Sequence, residues 1–157
     1  MPMRKLEESI YDTFASVAAS LGYSPLHGKI IAALYVNHNA LTLQELAKAT
    51  GYSASMISLS LELLEVLNII KKVKKTADRK LYVELQDDLL GALKKAITFR
   101  VQKNIKLSLG QFEESRTELN KLEGTERDRI LRALGMLEKE LKRLERYVQL
   151  LDKIHLP

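Results

Sequence analysis

Apolar positions recur at steps of three and four through most of the chain, and the period changes once. Residues 4–21 carry Leu6, Ile10, Phe14, Val17 and Leu21, one stripe of a helix that Gly22 ends, a face for its own domain or for a second subunit. Ser24-Pro25 opens a second helix, because serine caps free backbone N–H groups and proline loses nothing at the first helical position. Its run LHGKIIAALYV points Ile30, Ile31, Leu34 and Tyr35 or Val36 at the core. Asn37-His38-Asn39 closes it, since asparagine tolerates the left-handed conformation. Thr42 and Glu45 form a capping box for a short helix with Leu43, Leu46 and Ala47 inside, ending at Gly51. Ser53 caps the next, Ala54 to about Leu67, with Ile57, Leu61, Leu64 and Leu67 on one face and Asn68 at its exit. From Ile69 to Leu85 the period shortens. Ile70, Val73, Leu81, Val83 and Leu85 lie among charges, with turn-forming residues at 76–79, which predicts a hairpin whose second strand is the clearer.

After Gln86 the pattern is helical to the end. Asp87 and Asp88 favour the start of a long helix through its dipole. It runs to about Glu123, with Gly110 as a point of denting or breakage. Thr125 and Asp128 give a second capping-box pattern. In the last helix Ile130, Leu134, Leu137, Leu141, Leu144, Val148 and Leu151 alternate steps of four and three among Glu, Lys and Arg. This heptad seam needs a matching surface, within the chain or on a second copy.

Charge sharpens the picture. The formal net charge is +5 over 157 residues, and residues 71–80 hold six Lys or Arg and one Asp. Read alone, such a ribbon is a solvated edge blunted by lysine. Behind two short helices it reads as an edge for a polyanion. There is no cysteine, no apolar run long enough to cross a bilayer, and no signal-peptide core at the N-terminus. The expected location is the cytoplasm, with no membrane partner.

Ala47, Gly51 and Ile57 have the spacing of a helix-turn-helix: a small residue at the crossing, a glycine turn, and an apolar residue packing the second helix on the first. Tyr52 is partly buried, and Leu46, Ile57 and Leu61 complete the small core. The second helix is the candidate for the major groove, through Ser53, Ala54, Ser55, Met56 and Ser58, with Leu59 near them. Ser53 is a cap before it is a phosphate ligand. Ala54 and Met56 offer contacts to thymine methyls, while no Arg, Asn or Gln is present for a bidentate base contact. Phosphate contacts fall to the wing: Lys71, Lys72, Lys74, Lys75, Arg79 and Lys80. Arg79 at the tip suits a narrow minor groove. Asp78 either orients its guanidinium or simply makes the turn. The expected fold is mainly α with a small β-hairpin wing. Residues 1–23 form an N-terminal helix for packing or dimer contact, 24–86 the winged helix-turn-helix, and 87–157 a helical dimerisation region.

With these residues in view, Leu43–Leu85 resembles the MarR-type winged-helix regulators, and within them the GbsR-like branch. The stretches that carry the likeness are ELAKATGYSASMISLSLELLEVLNII and KTADRKLYVE. The resemblance covers residues 24–86. It implies a homodimeric regulator, often a repressor, with terminal helices as the dimer interface and a small-molecule effector between those helices and the DNA lobes. The helix after Ser53 is serine-rich where many relatives are basic, so individual operator contacts do not carry over.

Other constellations point nowhere specific. His27, His38 and His155 lack acidic partners at metal-ligand spacing and read as surface or cap residues. There is no nucleophile with a base, no glycine-rich phosphate loop, and no implied cofactor. Tyr11, Tyr35, Phe99 and Phe112 read as core rather than as a ligand cavity. Two classes of function remain: a double-stranded-DNA-binding transcriptional regulator acting as a homodimer on a pseudo-palindromic site, and a winged-helix interaction scaffold that recruits partners through the heptad seam.

Overall fold

The computed structural model describes residues 2–38 and 40–157. Its elements are α1 (Met3–Ser20), α2 (Pro25–Val36), β1 (Ala40–Thr42), α3 (Leu43–Thr50), α4 (Ala54–Val66), β2 (Ile70–Lys74), β3 (Leu81–Leu85), α5 (Leu89–Leu119) and α6 (Thr125–Lys153). The chain is mainly α, with a small antiparallel sheet and two long C-terminal helices. Two compact units arise, Met1–Ala96 and Ile97–Pro157, with α5 contributing to both. No helix among the described residues is long and apolar enough to cross a membrane.

Local chemistry sets most helix ends. Ser24 Oγ accepts from the Leu26 N–H, Thr42 Oγ1 from Glu45, and Ser53 Oγ from Met56. Gly51 takes φ 77° at the end of α3, and Thr50 Oγ1 accepts from the Tyr52 N–H across the turn. After α1 and α4 the chain closes with paired bonds that satisfy the last carbonyls. Gly22 N–H reaches Ala19 O and Tyr23 N–H reaches Ala18 O; Asn68 N–H reaches Glu65 O and Ile69 N–H reaches Leu64 O. Asn68 has φ 59°.

Other ends differ from expectation. The left-handed residue after α2 is His38, at φ 61°, whereas Asn37 stays at φ −104°. Asn37 instead turns its amide back to donate to Ala33 O. Asn39 lies outside the described residues. α5 stops at Leu119, before Glu123, and passes unbroken through Gly110. Asp88 Oδ1 accepts from the Gly91 N–H at its start. No capping box forms at Thr125, which is already the first helical residue. Gly124 holds the cap position at φ 113° without a side chain to offer. Glu126 and Asp128 then favour that end of α6 through the dipole.

The apolar stripe of α1 is not the face buried within this chain. Leu6 and Ile10 are exposed, Phe14, Val17 and Leu21 are half-buried, and Tyr11, Ala15 and Ala18 are buried. The cause is a close helix crossing. A Cβ placed at Gly28 of α2 would meet the Phe14 carbonyl oxygen, and would lie 2.9 Å from both Ala15 Cα and Ala18 Cβ. Small side chains on both helices permit that approach. Ile30, Ile31 and Leu34 of α2, Leu46 of α3, and Ile57, Leu61, Leu64 and Leu67 of α4 make the core of the first unit as expected. Of the alternatives Tyr35 and Val36, Tyr35 is exposed and Val36 half-buried.

The sheet has order β1-β3-β2. The hairpin pairs Ile70 with Leu85, Lys72 with Val83 and Lys74 with Leu81. Strand β1, which the pattern did not predict, adds Leu41 opposite Val83 and Thr42 opposite Tyr82. Val83 therefore sits between two strands and is buried, while Leu81, nearer the tip, is exposed.

On α6 the heptad seam divides. Leu134 and Val148 are buried and Leu141 is half-buried. Ile130, Leu137, Leu144 and Leu151 are exposed by 41–54%. Within this unit Arg116 donates to Glu138 at 2.7 Å, tying the end of α5 to α6.

Candidate nucleic-acid interface

The helix-turn-helix fixes which part of α4 faces outward. Ile57, Leu61 and Leu64 anchor it on the first unit's core, and α3 packs on it through the Gly51 turn. Ser53, Ala54, Ser55, Met56 and Ser58 are all exposed. Ser53 is committed to the cap, and its Oγ lies 3.4 Å from Ser55 Oγ. Ser58 lines a shallow cleft with Gln44 of α3 and with Lys72 and Lys80 of the hairpin. The cleft thus joins the outer face of α4 to the wing. Leu59 and Glu62 continue the exposed surface of α4.

The wing's six cations are not equivalent. Lys72 pairs with Glu65 of α4 at 3.7 Å, and Lys71 with Glu84 across the hairpin at 4.0 Å. Such exposed pairs are weak, about 1 kcal/mol or less, yet they offset local charge. Lys75 Nζ lies 4.5 Å from the centre of the Tyr82 ring. Lys74, Arg79 and Lys80 have no ion pair among the described residues. The charge left without an ion pair is concentrated at the tip, where the Asp78 carboxylate offsets that of Lys80 in part.

The tip has a defined shape. Arg79 adopts φ 60°, its N–H donates to Lys75 O, and the Lys75 N–H donates to Lys80 O. Asp78 makes the turn and does not orient the Arg79 guanidinium. Its Oδ1 accepts from the Lys80 N–H at 3.0 Å and its Oδ2 from the Tyr82 hydroxyl at 2.6 Å. The hydroxyl bond, then the backbone bond, hold the Asp78 carboxyl below its usual range, and the same contact pushes the Tyr82 phenol up. Tyr82 was not singled out from sequence; its role depends on the tip closing so that residue 78 meets residue 82. Among the described residues, no three His, Asp or Glu side chains are arranged to hold a metal ion.

His27 is not a surface residue. It lies half-buried beside Tyr23, with ring centres 6.0 Å apart, and its Nδ1 is buried without a hydrogen bond. Burial lowers its pKa.

No family model and no curated protein matches this chain. Among solved structures, a crystal structure of a transcriptional regulator superposes with TM-score 0.69 at 18% identity, over 91% of this chain and 92% of that one. At that identity the likeness shows the fold: a winged helix-turn-helix with long C-terminal helices. MepR, a transcription regulator of the Staphylococcus aureus multidrug efflux pump MepA, is 19% identical over 88% of this chain and 94% of its own, at TM-score 0.43. The regulator Tm0710 from Thermotoga maritima is 19% identical over 89% and 93%, at TM-score 0.45. These two superpose too loosely to carry an argument.

Proposed function

We propose that this chain is a transcriptional regulator that binds double-stranded DNA as a homodimer, a MarR-type protein of GbsR-like character. The observation that carries the reading is the wing tip, where Lys74, Lys75, Arg79 and Lys80 outnumber the one local carboxylate, Asp78, and Lys80 shares a cleft with Ser58 of α4. Helix α4 from Ser53 to Ser58 enters the major groove, and the tip cations neutralise phosphates alongside. The fold shared with a protein described as a transcriptional regulator supports the same class. We assign it to the cytoplasm, to a pseudo-palindromic site, and to repression by occluding a promoter. Release by a small-molecule effector completes the reading.

The test is a titration of log affinity against log salt. Each phosphate neutralised contributes about −0.9 to the slope, so four tip cations on each of two wings give about −7. A slope near zero overturns the assignment. Replacing Lys74, Lys75 and Arg79 with alanine should bring the slope from about −7 to about −2.

A second reading, a winged-helix scaffold, is favoured by the exposed row on α6. It predicts that the triple alanine variant keeps its partners and loses nothing that depends on DNA.

A further inference from the structure

The outward face of α4 is chemically one-sided. Ser55, Leu59, Glu62 and Val66 follow at steps of four, three and four, which places them in one row. Met56 flanks the start of that row. Leu59 and Val66 are each 70% exposed and Met56 is 50% exposed, while the core takes Ile57, Leu61 and Leu64 from the opposite side. A single exposed leucine is ordinary on any protein. Here three large apolar side chains share the free side of a short helix whose neighbour is the cationic wing tip. The juxtaposition sets apolar contact surface beside phosphate-binding charge.

We propose that α4 recognises thymine 5-methyl groups in the major groove, with Leu59 joining Met56 as the residues that set this preference. The inference rests on the reading of the chain as a DNA binder. In the major groove each base edge shows donors and acceptors, and only thymine adds a methyl group. Side chains without hydrogen-bonding atoms can tell bases apart only through that group. The serine hydroxyls on this face discriminate poorly. Ser53 Oγ is engaged as a cap. The Ser55 and Ser58 hydroxyls both donate and accept, so they suit any edge. Glu62 accepts only, which fits the exocyclic amine of cytosine or adenine, and it repels phosphate, so the third turn of α4 is kept off the backbone. The wing then supplies affinity and the helix supplies a preference for thymine at one or two positions in each half-site.

The experiment uses the full-length protein. The tightest duplex is selected from a random-sequence pool and resynthesised with deoxyuridine at each thymidine in turn. This removes one methyl group and no hydrogen bond. The expected result is about fourfold weaker binding at one or two positions per half-site, the effect of exposing one methyl-sized group, with the salt slope unchanged. Leu59→Ala and Met56→Ala should weaken binding to the thymine duplex more than to its uracil counterpart, bringing their ratio towards one. Circular dichroism melting confirms that the variants fold. Equal affinity for thymine and uracil at every position, with the salt slope intact, overturns the proposal and leaves the DNA-binding reading standing. Absence of any salt-dependent binding overturns both. If Leu59→Ala changes self-association by sedimentation but not the thymine-to-uracil ratio, the row is a protein contact and the proposal is wrong.

Discussion

Gly28 and His27 adjoin at the start of α2, and each is constrained by the helix crossing in a different way. Gly28 has no room for a side chain, because Phe14 O, Ala15 Cα and Ala18 Cβ occupy the space. Two of those three atoms are backbone and cannot swing aside. Gly28→Ala should therefore force α1 away from α2 and cost about 1–3 kcal/mol, seen as a lower denaturant midpoint. His27 is a matter of charge. Phe14, Ala18, Leu21, Leu64 and Ala92 line the cavity around it, which disfavours the imidazolium and lowers its pKa. In the unfolded chain the same ring protonates near the ordinary value, about 6.5. Between the folded and unfolded values the unfolded state holds more protons, so stability falls as pH drops through that window. Above about 6.5 His27 adds no pH dependence. Urea midpoints at neutral and mildly acidic pH should converge on replacing His27 with Gln, whatever that change does to the absolute midpoint. The caps at Ser24, Thr42 and Ser53 were legible in sequence because each acts within three residues. The burial of His27 was not, since it depends on α1, α4 and α5 meeting over it.

Elements whose pattern reflects size were easier to read than those whose packing depends on smallness. α4 presents Ile57, Leu61, Leu64 and Leu67 to the core, and its period gave the buried face directly. On α1 the bulky stripe is not the face that packs within the chain. The face that packs is Tyr11, Ala15 and Ala18, because two helices meeting at a glycine gain more from a close approach than from large side chains. β1 left no signature, being three residues long and stabilised by pairing with β3, whose position the local sequence does not encode. The attachment of α5 to α4 was equally hidden. Lys95 Nζ donates to Asn68 O at 2.7 Å, at the left-handed corner that ends α4, and lies 2.6 Å from Asp87 Oδ2. The Gln86 N–H meanwhile donates to Ile69 O at 2.8 Å. These bonds fix the root of the hairpin. Lys95→Met keeps the aliphatic stem and removes the ammonium. It should cost about 1 kcal/mol and speed amide exchange at Ile69 and along β2 more than in α2. Uniform acceleration across the first unit would show that Lys95 contributes only general stability.

At the scale of the molecule, the seam on α6 carries the most consequence. A row at steps of four and three has to be covered, and periodicity alone does not say by what. The structure divides it. Leu134, Leu141 and Val148, at steps of seven, turn inward; Ile130, Leu137, Leu144 and Leu151, also at steps of seven, stay out in solvent. Tyr147, 64% exposed, stands three residues beyond Leu144 and widens the outer row. The two rows make different demands on a mutation. Leu134→Lys would bury an unpaired ammonium and should unfold its own unit. Leu137→Lys together with Leu144→Lys touches only the outer row, so the subunit should melt nearly as before. If a second copy of the chain covers that row, sedimentation of the double variant should give a monomer; the scaffold reading leaves self-association unchanged. Its DNA binding should weaken by about a hundredfold or more, since two linked half-site contacts become one. The salt slope carries the sharper information, because it counts phosphates independently of affinity. A monomer brings one wing to the duplex, so the slope should fall from about −7 to about −3.5. A monomer that keeps the full slope would mean that the wing of one copy makes all the phosphate contacts. A dimer that survives both lysines would place the subunit contact elsewhere and leave the outer row free for another protein.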